Sequence, residues 1–118
     1  MPLRDTQIER YEYTIWAIAN SEYVKRFLIG YTSRAGIYRY NEYKRLGYEH
    51  LVILADRLTE IDAKNLEQKL QDKCWNDHRR ALYQKYNRKR RDKPYRPGTP
   101  SRSPHKKLHT VYMAWWEP

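Results

Sequence analysis

At 118 residues the chain can close one hydrophobic core but not two, so a single site is expected. Its 24 Lys and Arg against 14 Asp and Glu give a formal charge of +10, which favours a polyanionic partner, nucleic acid ahead of a membrane surface. No run approaches the roughly 20 apolar residues of a spanning helix, and a single cysteine, Cys74, excludes an internal disulfide and a multi-cysteine zinc site.

The first residues, MPLRDTQIERYEYT, lack the apolar stretch of a signal peptide, so the expected location is intracellular, with cytoplasm and nucleus left open. Residues 11–20 (YEYTIWAIAN) and 26–32 (RFLIGYT) are rich in β-branched and aromatic residues, and the short polar SEYVK separates them. They read as a β-hairpin. Thr32 or Ser33 then caps a helix through IYRYNEYKRL that stops at Gly47, the residue suited to a left-handed C-terminal cap. Residues 50–58 (HLVILADRL) contain the most apolar run and read as a buried strand.

From Thr59 to Tyr86 there is no Gly or Pro, the segment opens with a Thr59-x-x-Asp62 capping pattern, and charges alternate at helical spacing. One long helix is expected. Residues 87–107 then form a basic, Pro-rich loop with four of the six prolines, a composition that cannot bury a core. Residues 107–116 (KLHTVYMAWW) return to strand alternation, Val111, Met113 and Trp115 on one face and Tyr112 and Trp116 on the other. The expected fold is a single α+β domain over residues 1–118, a small mixed or antiparallel sheet flanked by helices in the order β-β-α-β-α-loop-β.

Two residues stand out chemically. Glu67 falls inside the apolar stripe Ala63, Leu66, Leu70 and Cys74, which aims a carboxylate at the sheet. Burying an ionised carboxylate alone is costly, so it is expected to be paired, metal-bound, or snorkelling from the helix edge. Arg39 shares a helix face with Tyr43 and Leu46, where its fork of donors suits a phosphate or simply packs among tyrosines. The four histidines, His50, His78, His105 and His109, show no metal-ligand spacing and read as surface or capping residues.

The order of these elements resembles the GIY-YIG nuclease domain. Residues 28–43 (LIGYTSRAGIYRYNEY) are similar to the YIG-x-T motif followed by the helical arginine, which falls on Arg39. AKNLEQKL at 63–70 is similar to the helix bearing the metal-binding glutamate, which falls on Glu67, and TIWAIAN at 14–20 is similar to the first motif. Trp16 and Leu28 stand where the pattern has its two tyrosines, and Gly36-Ile37-Tyr38 matches the letters of the first motif but falls inside the arginine helix.

The resemblance implies metal-dependent cleavage of phosphodiester bonds, DNA in preference to RNA. Glu67 would hold one Mg²⁺ or Mn²⁺, Arg39 would clamp the phosphate, and Tyr43 or Tyr31 would supply the phenol. Strand alternation points Tyr31 away from Leu28, so that role would require a bulge. A decayed site that binds nucleic acid without cutting it is the alternative. Between Arg79 and Lys107 twelve Lys or Arg face one acid, Asp92, a cluster suited to salt-dependent phosphate contact. Arg34, Arg79, Arg80, Arg88, Lys89, Arg90, Arg91 and Lys93 are its candidate contacts, with RKRR also readable as a nuclear-import signal. Domains of this size commonly depend on a companion domain or on homodimerisation for specificity.

Overall fold

The computed structural model describes residues 4–33, 41, 44–45, 47–76, 81–86 and 105–116. The first element, α1 (Asp5–Ala19), is a helix. This overturns the reading of residues 11–20 as a strand, and with it the hairpin and the first β of the expected order. The cause is periodicity: Ile8, Ile15 and Ala19 are buried, Tyr11 and Ile18 are half-buried, and these positions form a stripe at helical spacing, not strand alternation. The β preference of YEYTIW yields to that stripe, as strand propensity does when packing opposes it. At the N-terminus the Arg4 amide donates to Gln7 Oε1 at 3.0 Å, and the Thr14 hydroxyl bonds back to the Arg10 carbonyl at 3.0 Å.

Strand β1 (Arg26–Thr32) follows, then β2 (His50–Leu58), α2 (Glu60–Trp75), the short α3 (Ala81–Lys85) and β3 (His109–Trp116). Between β1 and β2, Asn41, Lys44 and Arg45 are helical, and Gly47 adopts φ +95°, the left-handed stop expected of it. Among the described residues the sheet has three strands in the order β1-β3-β2, with β3 antiparallel to both neighbours. The α+β class and the small antiparallel sheet flanked by helices therefore hold. The C-terminal strand rejoins the sheet at its centre, and β3 takes the antiparallel place beside β1 expected for residues 11–20.

Register divides the sheet into two faces. Leu28, Gly30 and Thr32 align with Ala114, Tyr112 and Thr110 on one face; Phe27, Ile29 and Tyr31 align with Trp115, Met113 and Val111 on the other. Along β3 the residues from His109 to Ala114 are all buried, as suits a central strand covered on both sides.

Thr59 caps α2 as its spacing suggested, its hydroxyl accepting from the Asp62 amide at 3.4 Å. The single long helix expected over 59–86 is not what forms. Residues 75 and 86 of one straight helix would stand about 16 Å apart, yet the Trp75 and Tyr86 rings are 6.2 Å apart edge to face. Asn76 caps the C-terminus of α2, and α3 brings Tyr86 back against β1. No helix among the described residues is long and apolar enough to cross a membrane.

Candidate active site

Strand β1 lies at an edge of the sheet, where unpaired backbone groups need partners. Ile29 turns both its amide and its carbonyl away from β3, and side chains meet them. The amide donates to the Tyr86 hydroxyl at 3.3 Å, and that hydroxyl lies 3.4 Å from the Ile29 carbonyl. Gln71 Nε2 donates to the same carbonyl at 3.2 Å. Tyr86 and Gln71 thus act as a surrogate strand, and α2 is drawn along the open edge of β1 and the face carrying Phe27, Ile29 and Tyr31. The Phe27 and Tyr86 rings, 5.1 Å apart edge to face, fix the far end.

Glu67 lies one turn before Gln71 on the same stripe of α2, and Glu60 lies two turns before Glu67. All three are buried, together with Ala63, Leu66, Leu70 and Cys74, so the carboxylate expected to face the sheet does so. At 6 % exposure Glu67 is enclosed by the fold, which excludes the snorkelling arrangement. Glu60 is paired with Lys64 at 3.3 Å.

Tyr31 is the other described member of the predicted set. The pairing of β1 with β3 is regular, so no bulge is needed: Tyr31 stands on the face opposite Leu28, and that placement brings it towards α2. Its phenol is pushed up to about 12, first by burial, then by the negative charge of Glu60 and Glu67, and its hydroxyl oxygen is buried without a hydrogen-bond partner. At neutral pH it is a protonated donor and a poor base.

Tyr112 arrives from the other side and has no counterpart in the sequence expectations. A Cβ built on Gly30 would lie 2.5 Å from the Tyr112 hydroxyl oxygen and 2.8 Å from its Cζ. The ring therefore leaves β3 and crosses β1 over the bare Cα of Gly30, with its hydroxyl leading. A glycine directly opposite a tyrosine on a paired strand is the signal for this contact, but it is visible only once the β1–β3 register is known.

Arg34, Arg39, Tyr43, Arg79, Arg80, Arg88, Lys89, Arg90, Arg91 and Lys93 lie outside the described residues. Lys85, counted in the basic cluster, has a structural role, since its ammonium donates to the carbonyls of Ala19 at 2.7 Å and Ser21 at 2.8 Å and so caps α1. Burial, then the charge of Lys25, lowers its pKa. His109, expected at the surface or as a cap, is instead buried in β3, with Nδ1 donating to the Leu58 carbonyl at 3.0 Å where β2 leads into α2. The buried Cys74 thiol is pushed up to about 12, mainly by burial and then by Glu12, so it stays protonated.

Among the described residues no group of three or more His, Cys, Asp or Glu side chains stands together to hold a metal. A hard ion at Glu67 would take one carboxylate from α2 and complete its shell with water and phosphate oxygens, a donor set compatible with Mg²⁺ or Mn²⁺. Comparison of the chain with protein-family models, with curated proteins and with solved structures found no match in any of the three.

Proposed function

We propose that the chain is a small metal-dependent endonuclease that cleaves phosphodiester bonds in DNA at a GIY-YIG-like site, with Glu67 as metal ligand and Arg39 as phosphate clamp. The observation that carries this reading is the enclosed Glu67 carboxylate at the open edge of β1, a strand that contains Leu28-Ile29-Gly30. Order along the chain supports it: β1, a segment helical at Asn41, Lys44 and Arg45, then β2, then the glutamate helix. The +10 charge suits the substrate.

Glu67, held by its place on the α2 stripe, fixes where a divalent ion would sit. Such an ion supplies positive charge to the phosphate and its leaving oxygen. Arg39 would add a forked donor to the phosphoryl oxygens as negative charge accumulates there. Tyr31 stays protonated beside the carboxylates, its hydroxyl buried next to the glutamate helix.

The test is nicking of supercoiled plasmid with Mg²⁺ or Mn²⁺ by the full chain beside Glu67→Ala and Arg39→Ala. Cutting by the parent chain, lost by about 100-fold or more in either variant, is expected. Cutting that survives Glu67→Ala removes the metal-ligand assignment.

One structural feature favours a second reading, a nucleic-acid-binding module without catalysis. Trp16 projects from α1 with 43 % exposure and Leu28 is buried in the sheet, so neither motif position offers a phenol. That reading expects plasmid binding in low salt with no cutting under either metal.

A further inference from the structure

We propose that the turn joining α1 to β1 is a second nucleic-acid contact, which takes an unpaired DNA strand with a base against Tyr23 and phosphates on Lys25 and Arg26. The inference rests on the DNA-binding part of the reading above and names the form of substrate; it does not depend on cleavage.

Among the described residues the exposed aromatic side chains all fall in one stretch, Tyr13, Trp16 and Tyr23. Single aromatics scattered over a surface need no partner, but a concentration of them points to one. Charge decides which of the three suits a phosphate backbone. Trp16 shares its helix face with Asp5, Glu9 and Glu12 at helical spacing, so the Tyr13 and Trp16 rings, 6.2 Å apart, stand in a surround that repels phosphate. Tyr23 is placed differently. Glu22 is the single acid of residues 20–26, Lys25 and Arg26 follow it, and Lys85 reaches the turn from α3. Glu49, ahead of β2 at the same end of the sheet, offsets part of that charge but leaves the cations in excess.

The turn is held in one shape. The Ser21 hydroxyl accepts from the Tyr23 amide at 3.3 Å, and the Ser21 carbonyl accepts from the Val24 amide at 3.2 Å and the Lys85 ammonium at 2.8 Å. Val24 is buried beneath it, and the Lys25 amide donates to the Trp116 carbonyl, at the end of β3, at 3.0 Å. Tyr23 is therefore displayed at 67 % exposure on a fixed backbone, which lowers the ordering cost of stacking a base on it.

Arg26 pairs with Trp116 across the strands and holds its guanidinium 5.8 Å from the centre of that ring. Lys25 and Arg26 are both exposed, and neither has a carboxylate partner among the described residues. Two unneutralised cations beside an exposed ring supply what sequence-tolerant single-strand binding needs, charge for the backbone and a flat face for a base. A duplex keeps its bases stacked inside and offers Tyr23 no face, so an unpaired strand is the form this end takes. The turn lies at the Arg26 end of β1, about 16 Å along the strand from Tyr31, and shares no side chain with the Glu67 site.

Binding of a labelled oligothymidylate strand and of a blunt duplex would be measured in EDTA across salt for the parent chain, Tyr23→Ala, the double variant Lys25→Gln/Arg26→Gln, and Glu67→Gln. All three side chains changed at the turn are exposed, so the fold is retained. Tyr23→Ala should weaken the single strand about tenfold and the duplex by less than about twofold. The double variant should lower the slope of log affinity against log salt for the single strand by about 1.4. Glu67→Gln should bind both as the parent does. Single-strand affinity left within about twofold by Tyr23→Ala overturns the inference, as does an equal loss for strand and duplex. An unchanged salt slope in the double variant overturns it too. A parent chain that does not bind the strand also overturns it, and leaves the turn to a protein partner. A parent chain that never nicks plasmid, yet loses strand binding in Tyr23→Ala, fails the endonuclease reading and supports this contact.

Discussion

The sheet has two edges, and the fold treats them differently. At the β1 edge the backbone is satisfied by buried polar side chains, Gln71 and the Tyr86 hydroxyl, under a helix that also carries Glu60 and Glu67. At the β2 edge the strand is irregular: its register to β3 shifts between Ile53 and Ala55 and again before Leu58, Arg57 adopts φ 55°, and Ile53 is 47 % exposed. Irregularity discourages edge-to-edge pairing without burying polar atoms. Satisfaction by side chains requires polar residues in a dry place, and once a helix brings them there a carboxylate can be enclosed beside them. The difference explains why the candidate chemistry lies at one edge and not the other.

The largest effect should come from removing the surrogate strand. Tyr86 is 1 % exposed and packs on Phe27 and Trp75, so Tyr86→Ala should cost about 3–5 kcal/mol in urea denaturation. Tyr86→Phe keeps the rings and strands the Ile29 amide, at a cost of about 1–3 kcal/mol. A neutral Tyr86→Phe would mean that the β1 edge is held by packing alone.

Gly30→Ala comes next. The added methyl would overlap the Tyr112 hydroxyl, and the buried ring must shift, a cost of about 1–3 kcal/mol by the same measurement. Pairing it with Tyr112→Leu sharpens the point, because the penalty for Gly30→Ala should shrink once the phenol is gone.

The electrostatic contrast is smaller and appears in alkali. The Tyr31 phenol has an ordinary pKa of 10.0 and is raised to about 12 in the fold, so the folded state holds its proton more tightly than the unfolded chain does. The associated stability is complete below the unfolded value and is lost as pH rises through the folded one. Denaturation midpoints should fall across that window, and Tyr31→Phe should flatten the fall. An identical slope in both chains would mean that neither burial nor the charge of Glu60 and Glu67 raises the Tyr31 phenol. The smallest effect belongs to the β2 edge, where Ile53→Lys should change stability by no more than about 0.5 kcal/mol.

What was legible in the sequence follows the range of the interactions. The bounds of β2, the Thr59 cap, the left-handed Gly47 and the burial of Glu67 within its stripe are set by neighbours within a turn or two, and each reads directly from spacing. The helix at α1 was hidden because YEYTIW carries strand propensity while its apolar period is helical, and only packing decides between them. Gln71 reaches Ile29 across 42 residues and Tyr86 reaches it across 57. The crossing of Gly30 by Tyr112 depends in the same way on β3 entering between β1 and β2. No local pattern encodes those meetings, so the surrogate strand and the packing of Tyr112 on Gly30 emerge only from the assembled sheet.

The central claim, that the β1 edge is a cation-dependent site organised by Glu67, is tested most directly with paramagnetic Mn²⁺ in an amide-resolved NMR titration. At low Mn²⁺ the amides of Gly30, Tyr31 and Glu67 should broaden first, and the effect should vanish in Glu67→Gln. Broadening that spares those residues and centres instead on Asp62 and Asp72, in the groove between α1 and α2, would contradict the account.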